Sequence, residues 1–228
     1  MLYGYEKLVL QGAWVTLELS LLSLLVAVLL GLLGASAKLS NNRLGRALAA
    51  SYTTLIRGVP DLVLMLLIFY SLQIVVNAIT DTLGFAQLDI DPFTAGILTI
   101  GFIYGAYFAE TFRGAFLAIN AGQAEAGQAY GFSRWQIFSL ILFPQMMRFA
   151  LPGLANNWLV LLKATALVSI IGLADVVKAT QVAGKGTFQF FLFTLVAAAV
   201  YLIFTTLSNL GVYWLNRRYA LGVRSANA

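Results

Sequence analysis

WVTLELSLLSLLVAVLLGLLGASA, residues Trp14–Ala37, holds a single ionisable side chain, Glu18, among small polar and large apolar residues. About 20 apolar residues cross the hydrocarbon of a bilayer as a helix, so this run predicts a membrane span. The same texture returns along the chain. Further apolar runs cover about Ala50–Ile79, Pro92–Phe116, Asn157–Leu173 and Phe188–Leu215. Of the 228 residues, 61% are hydrophobic and 10% charged, and the mean hydropathy is +0.87. A soluble domain carries about 45–50% apolar and about 25% charged residues. Lipid as solvent resolves that excess. The fold expected is an all-α membrane protein of about five transmembrane helices, a single domain over 1–228 with no repeat or low-complexity tract.

Composition also removes several kinds of chemistry. The chain has no cysteine and no histidine. Disulfides are excluded, together with the His and Cys ligands of zinc and copper sites and any Ser-His or Cys-His catalytic pair. No metal site is expected, and an enzyme is not. The start, Met1 to Lys7, lacks the basic segment and cleavage site of a signal peptide, so the first helix is expected to stay in the membrane. The net charge of +5 is spread singly through loops and serves as a topology signal. Lys38, Arg43 and Arg46 follow the first span; Arg113, Arg134 and Arg148 follow the third; Arg217, Arg218 and Arg224 form the tail. The alternate side has Lys7, an acidic loop with Asp81, Asp89 and Asp91, then Lys178 and Lys185. The positive-inside rule places the N-terminus outside and the C-terminus in the cytoplasm. A sixth span would flip the tail, which its three basic residues oppose.

The polar, Ala/Gly-rich stretch Asn120–Gln136 then falls on the cytoplasmic side, as a short surface helix on which another protein docks. Glu125 opens that helix, where the dipole favours a carboxylate. Gly131 suits a turn, and Pro144 is expected to stop a helix where the chain re-enters the membrane. Charges within spans are costly and usually functional. Arg57 and Asp61 are four apart, Glu110 and Arg113 three apart, both spacings that share a helix face. Two readings stay open: internal ion pairs with snorkelling arginines, or Asp61 and Glu110 lining a pathway that selects a cationic side chain. Counting about 1.5 Å per residue from Pro92 puts Glu110 about 27 Å down, near the inner face. Glu18 reads as an outer-interface residue one turn into its span. Asn156, Asn157, Lys163 and Thr165 either line the pore or satisfy broken backbone around Pro152. Gly101, Gly105 and Ala109 form a small-residue ridge that suits close helix contact, within the chain or with a second one.

Two segments carry a family resemblance. Glu125-Ala126-Gly127-Gln128-Ala129-Tyr130-Gly131, nine residues, then Ile141-Leu142-Phe143-Pro144 resembles the E-A-A-x-x-x-G…I-x-L-P signature of permease subunits of binding-protein-dependent ABC importers. Gly127 replaces the second Ala and Phe143 the Leu. Ala106-Tyr107-Phe108-Ala109-Glu110-Thr111-Phe112-Arg113-Gly114 is similar to a segment of polar amino-acid permeases. So are Gly122-Gln123, Pro144-Gln145, Arg148, Pro152, Asn156, Leu162-Lys163-Ala164-Thr165 and Arg57-Gly58-Val59-Pro60, so the likeness covers nearly the whole chain. It points to the basic amino-acid subgroup, for histidine, lysine, arginine or ornithine. Such permeases often carry an apolar residue where Asp61 follows Pro60, and an acid there fits a basic substrate.

The resemblance implies a type I ABC importer permease of the bacterial inner membrane. It implies a coupling segment at about 120–144 built on Glu125, Ala126, Gly127, Gly131 and Pro144, and a substrate pathway with Asp61, Glu110, Arg57, Arg113 and Asn157. Implied partners are a second homologous permease, an ATPase dimer that binds ATP and Mg, and a periplasmic amino-acid-binding protein. No phosphate loop occurs here: Gly184-Lys185-Gly186-Thr187 lacks the upstream Gly and the magnesium-binding hydroxyl. A self-sufficient secondary transporter or channel is the alternative, and it would call for repeats, matched broken helices or a filter sequence.

Overall fold

The computed structural model describes residues 2–219; Met1 and Arg224 of the basic tail lie outside the described residues. The described chain is helical: α1 (Glu6–Leu39), α2 (Arg43–Gly58), α3 (Asp61–Thr82), α4 (Pro92–Leu117), α5 (Gly122–Ala129), α6 (Arg134–Gln136), α7 (Phe143–Ala164), α8 (Val176–Thr187) and α9 (Phe190–Tyr219). A π-helical turn, Ile137–Leu142, joins α6 to α7, and a 3₁₀ segment, Thr165–Ile171, follows α7. Five stretches are long and apolar enough to cross a membrane: α1, α3, α4, the continuous helix Arg134–Ile171, and α9.

Helix α4 is the axis of the bundle. Asp91 caps its start by accepting the Thr94 N–H at 3.0 Å. Pro92 occupies the first turn, where its missing N–H costs nothing, as expected from sequence. Along its length α4 packs against α1. Lipid tails are as apolar as leucine, so packing in a membrane depends on close van der Waals fit through small residues. The ridge Gly101, Gly105 and Ala109 supplies that fit inside the chain. A Cβ on Gly101 would come within 2.5 Å of Val26, and one on Gly105 within 2.8 Å of Leu30. One on Gly34 of α1 would meet Ala109 at 2.9 Å. The ridge is therefore taken up by α1 and is not free for a second chain. Glu18 stands about three turns into α1, which begins at Glu6, and it accepts the Trp14 indole N–H at 2.6 Å.

Two expected spans differ from the structure. The run Ala50–Ile79 is not one helix. Gly58 weakens the helix, and Pro60 removes a donor and drives Val59 to an extended conformation (φ −117, ψ 141). The break leaves α2 as an amphipathic helix packed on α1 and α4, and Asp61 opens a separate α3. The fourth span does not start at Asn157. The helix runs unbroken from Arg134, and Pro144 sits in the first turn of α7 instead of stopping it. Proline cannot donate to the carbonyl four residues back. The π register immediately before it, over Ile137–Leu142, absorbs that missing bond.

Beyond the 3₁₀ segment, α8 docks on α1. The Asp175 carboxylate caps α8 through the Lys178 N–H at 2.9 Å, and the Val176 N–H donates to Thr16 Oγ1 at 3.1 Å.

Candidate functional site

The break between α2 and α3 sets the depth of the site. Asp61 Oδ2 accepts the Tyr104 hydroxyl at 2.8 Å. Tyr104 is twelve residues past Pro92, about 18 Å along α4, near the middle of a hydrocarbon layer about 30 Å thick. Sequence spacing could not place Asp61 there, because it treated α2 and α3 as one helix. Tyr104 stacks on Tyr107, with ring centroids 5.5 Å apart at 29°. The Arg57 guanidinium lies over the other tyrosine, 5.5 Å from the Tyr107 centroid. Arg57 and Asp61 thus flank the joint, Arg57 over the Tyr107 ring and Asp61 on the Tyr104 hydroxyl. They form no ion pair with each other. The four-residue spacing that suggested one fails because the residues sit on different helices.

Beside the joint lies a recess of about 440 Å³ lined by Thr53, Thr54, Arg57, Gly58, Tyr107 and Glu110. That is within the range of small-molecule pockets, about 300–1,000 Å³. Glu110, one turn below, is fully engaged. Its Oε2 accepts Arg113 Nε at 3.0 Å, and its Oε1 pairs with Lys38 Nζ from the last turn of α1. Lys38 also donates to Thr53 Oγ1 at 2.7 Å. The i,i+3 pair was legible in sequence. Lys38 was not: it is a helix residue tying α1, α2 and α4 together, instead of a loop charge. Tyr104, Tyr107 and Thr53 were likewise missed as site residues. Their polar partners are not local: Tyr104 meets Asp61 43 residues away, and Thr53 meets Lys38 15 residues away.

Asn157 stands apart from the recess. Its Nδ2 donates to Thr111 Oγ1 at 3.0 Å, fastening α7 to α4 mid-helix. Lys163 is exposed near the end of α7 and forms no ion pair among the described residues.

Just past the C-terminal end of α4, the segment after Ala118 forms an exposed elbow. Helix α5 carries Glu125 exposed in its first turn, with Ala126 exposed beside it. Gly127 is buried, and a Cβ there would meet Ile141 at 2.9 Å and Ile137 at 3.0 Å. The helix ends in a paired C-cap: Phe132 N–H donates to Gly127 O at 3.0 Å and Gly131 N–H to Gln128 O at 2.9 Å. Gly131 takes the left-handed φ of +78 that this cap needs. Gln145 Nε2 reaches Gln123 Oε1 at 3.3 Å, so α5 is clamped to α7. Tyr130 and Trp135 project from the elbow, 82% and 72% exposed.

Among the described residues, no group of three or more His, Cys, Asp or Glu gathers in a metal-binding arrangement. Gly184–Thr187 is the last turn of α8, a helix and not a phosphate-cradling loop.

Comparison with known proteins agrees with this architecture. The family model for the binding-protein-dependent transport system inner membrane component matches residues 27–221. A histidine/lysine/arginine/ornithine transport system permease protein, HisQ of Escherichia coli, is 60% identical over the full length of both chains. HisQ of Salmonella typhimurium is 62% identical, again end to end. A solved structure of an amino acid ABC transporter with histidines superposes with a TM-score of 0.79 at 31% identity, covering 94% of this chain and 95% of that one. The all-helical fold with five helices able to span and these matches agree: the chain belongs to the inner membrane component family of binding-protein-dependent transport systems, as a multi-pass permease subunit.

Proposed function

We propose that this permease carries basic amino acids — arginine, ornithine, histidine and lysine — across the inner membrane by alternating access within an ATP-driven importer. The whole chain is one transmembrane domain with its N-terminus in the periplasm and its C-terminus in the cytoplasm. It pairs with a second, homologous permease. A periplasmic amino-acid-binding protein docks on the outer loops, including Asp81–Asp91. An ATPase dimer, which binds ATP and Mg, seats the coupling segment 120–144, with Glu125 and Ala126 facing it, Gly127 packing α5 against Ile137 and Ile141, and Gly131 and Pro144 shaping the elbow. Transport is not catalysis by this chain; hydrolysis belongs to the partner.

One observation carries the substrate class: Asp61, an acid at mid-depth, stands beside two stacked tyrosines whose faces suit a cation. The relatives named for histidine, lysine, arginine and ornithine transport support the same class. Glu110 and Arg113 hold the pathway below the recess, and Asn157 keeps α7 against α4 as the bundle rocks. The test is uptake of each of the four amino acids, and of glutamate as a control, into proteoliposomes holding the co-purified complex, its binding protein and internal ATP. Accumulation of the four but not of glutamate is expected. Accumulation of glutamate overturns the substrate class. A chain that purifies alone and transports without ATP overturns the importer and leaves a self-sufficient transporter.

A further inference from the structure

The charges around the recess are uneven. Lys38, Arg57 and Arg113 face only two carboxylates, Asp61 and Glu110. Lys38 and Arg113 are both spent on Glu110. Glu110 is therefore not an open acid for an incoming cation, and Arg57 is the one cation of this cluster with no carboxylate partner among the described residues. It is exposed, lines the recess and rests on the face of Tyr107. Ionisable side chains at membrane depth almost always pair or line a water-filled cavity. A guanidinium presents a planar fork that fits a carboxylate in two parallel hydrogen bonds.

Every amino acid carries one α-carboxylate. A basic one also carries an α-ammonium and a basic side chain, cationic in arginine, lysine and ornithine. Across the Val59–Pro60 joint the site offers one free cation, Arg57, and one acid, Asp61, which accepts a single hydrogen bond from Tyr104. We infer that Arg57 is the anchor for the substrate α-carboxylate, leaving the cationic groups to Asp61 and the Tyr104–Tyr107 stack. This inference rests on the basic amino-acid reading and adds the orientation of the substrate and the residue that demands an amino acid instead of any organic cation. Glu110, held by Lys38 and Arg113, closes the floor of the recess and does not select.

The pair arginine and agmatine tests it, since agmatine is arginine without its carboxylate. Binding is measured on the purified permease–ATPase complex without the binding protein, by displacement of radiolabelled arginine in a scintillation proximity assay. Agmatine is expected to bind about ten- to a hundredfold more weakly than arginine to the wild type, the range for losing a charge-assisted bidentate contact. Arg57→Met is expected to weaken arginine by the same factor and leave agmatine unchanged, so that the preference disappears. Arg57→Lys, a point charge without the fork, is expected to keep part of it; it stands in if the Met variant fails to assemble. Equal binding of arginine and agmatine to the wild type, or a preference untouched by either variant, overturns the anchor and leaves the substrate class standing. A wild-type complex that retains no arginine but binds another solute overturns the substrate class itself.

Discussion

Removing the two partners of the Lys38–Glu110 contact should have unequal effects. The side chains are 14% and 17% exposed, and the contact joins α1 to α4 across 72 residues of sequence. Glu110→Gln removes the only carboxylate between two cations. Lys38 is left with Thr53 Oγ1 and a neutral amide, a partly buried charge without a counter-ion. Stranding a buried charge costs about 3–5 kcal/mol, and the residual exposure puts this case at the lower end, about 3 kcal/mol. Lys38→Met leaves Glu110 paired with Arg113 at 3.0 Å, so the loss is one charge-assisted hydrogen bond, about 1.5 kcal/mol. A chain of this size melts about 2–4 °C lower per kcal/mol lost. Thermal melts of the purified complex in detergent, followed by tryptophan fluorescence, should therefore fall by about 6–12 °C for Glu110→Gln and about 3–6 °C for Lys38→Met. The double variant leaves only the more exposed Arg113, 36% exposed, without its carboxylate, and should melt no lower than Glu110→Gln alone, a coupling of about 1.5 kcal/mol. Losses that simply add, or a larger loss from Lys38→Met, would refute the latch.

Other consequences can be checked alongside it. Asp175 is buried, its Oδ2 has no partner among the described residues, and burial pushes its carboxyl up from 3.8 to about 6. The folded protein thus holds that proton more tightly than the unfolded chain. The associated stability, about 3 kcal/mol for two pKa units, is fully present below about pH 4 and lost as pH rises through about 6. Asp175→Asn keeps the α8 cap, and a flatter melting temperature between pH 4 and 7 is the expected result; an unchanged slope counts against it. Glu125→Gln touches an exposed, unpaired position and should shift the melt by under about 0.5 kcal/mol while abolishing ATP-driven uptake; retained uptake removes Glu125 from coupling. Gly101→Ala places a methyl 2.5 Å from Val26, and overpacking of about 1–3 kcal/mol should lower the melt with the complex still assembled.

Local chemistry made much of the fold legible. Hydropathy gave five spans, and Pro92 gave the start of α4, whereas the Asp91 cap was read only as a loop charge. The small-residue ridge and the Glu110–Arg113 pair could be read because their members are a helical turn apart. The elbow was legible from Asn120 to Gly131, where polarity and a turn glycine coincide. Other features needed three dimensions. Gly58 and Pro60 signalled a break, but the apolar run continued across them and masked it. The fourth span was misplaced for the opposite reason: Arg148 and two prolines lowered the apparent hydropathy of a helix that the π turn keeps continuous. The Lys38–Glu110 contact has no local trace, since a lysine closing a span reads first as a topology charge.

The joint also explains why charge is tolerated at this depth. Arg57, Gly58, Val59 and Pro60 are all exposed in the chain, and Val59 is out of helical register with its carbonyl and N–H unspoken for by α2 or α3. Irregular backbone at membrane depth survives only where protein buries it or water reaches it. No described residue covers the joint, so by that rule the face meets either water or a second permease. In both cases Arg57 and Asp61 escape most of the cost of bare hydrocarbon, and a polar solute can approach the same backbone. Glu110 stands in the opposite situation, enclosed by α1, α2 and α4 and neutralised from both sides. Two acids that look equivalent in sequence therefore do different work: Asp61 stands at an open joint where a solute can reach it, and Glu110 fastens the helices that carry the joint.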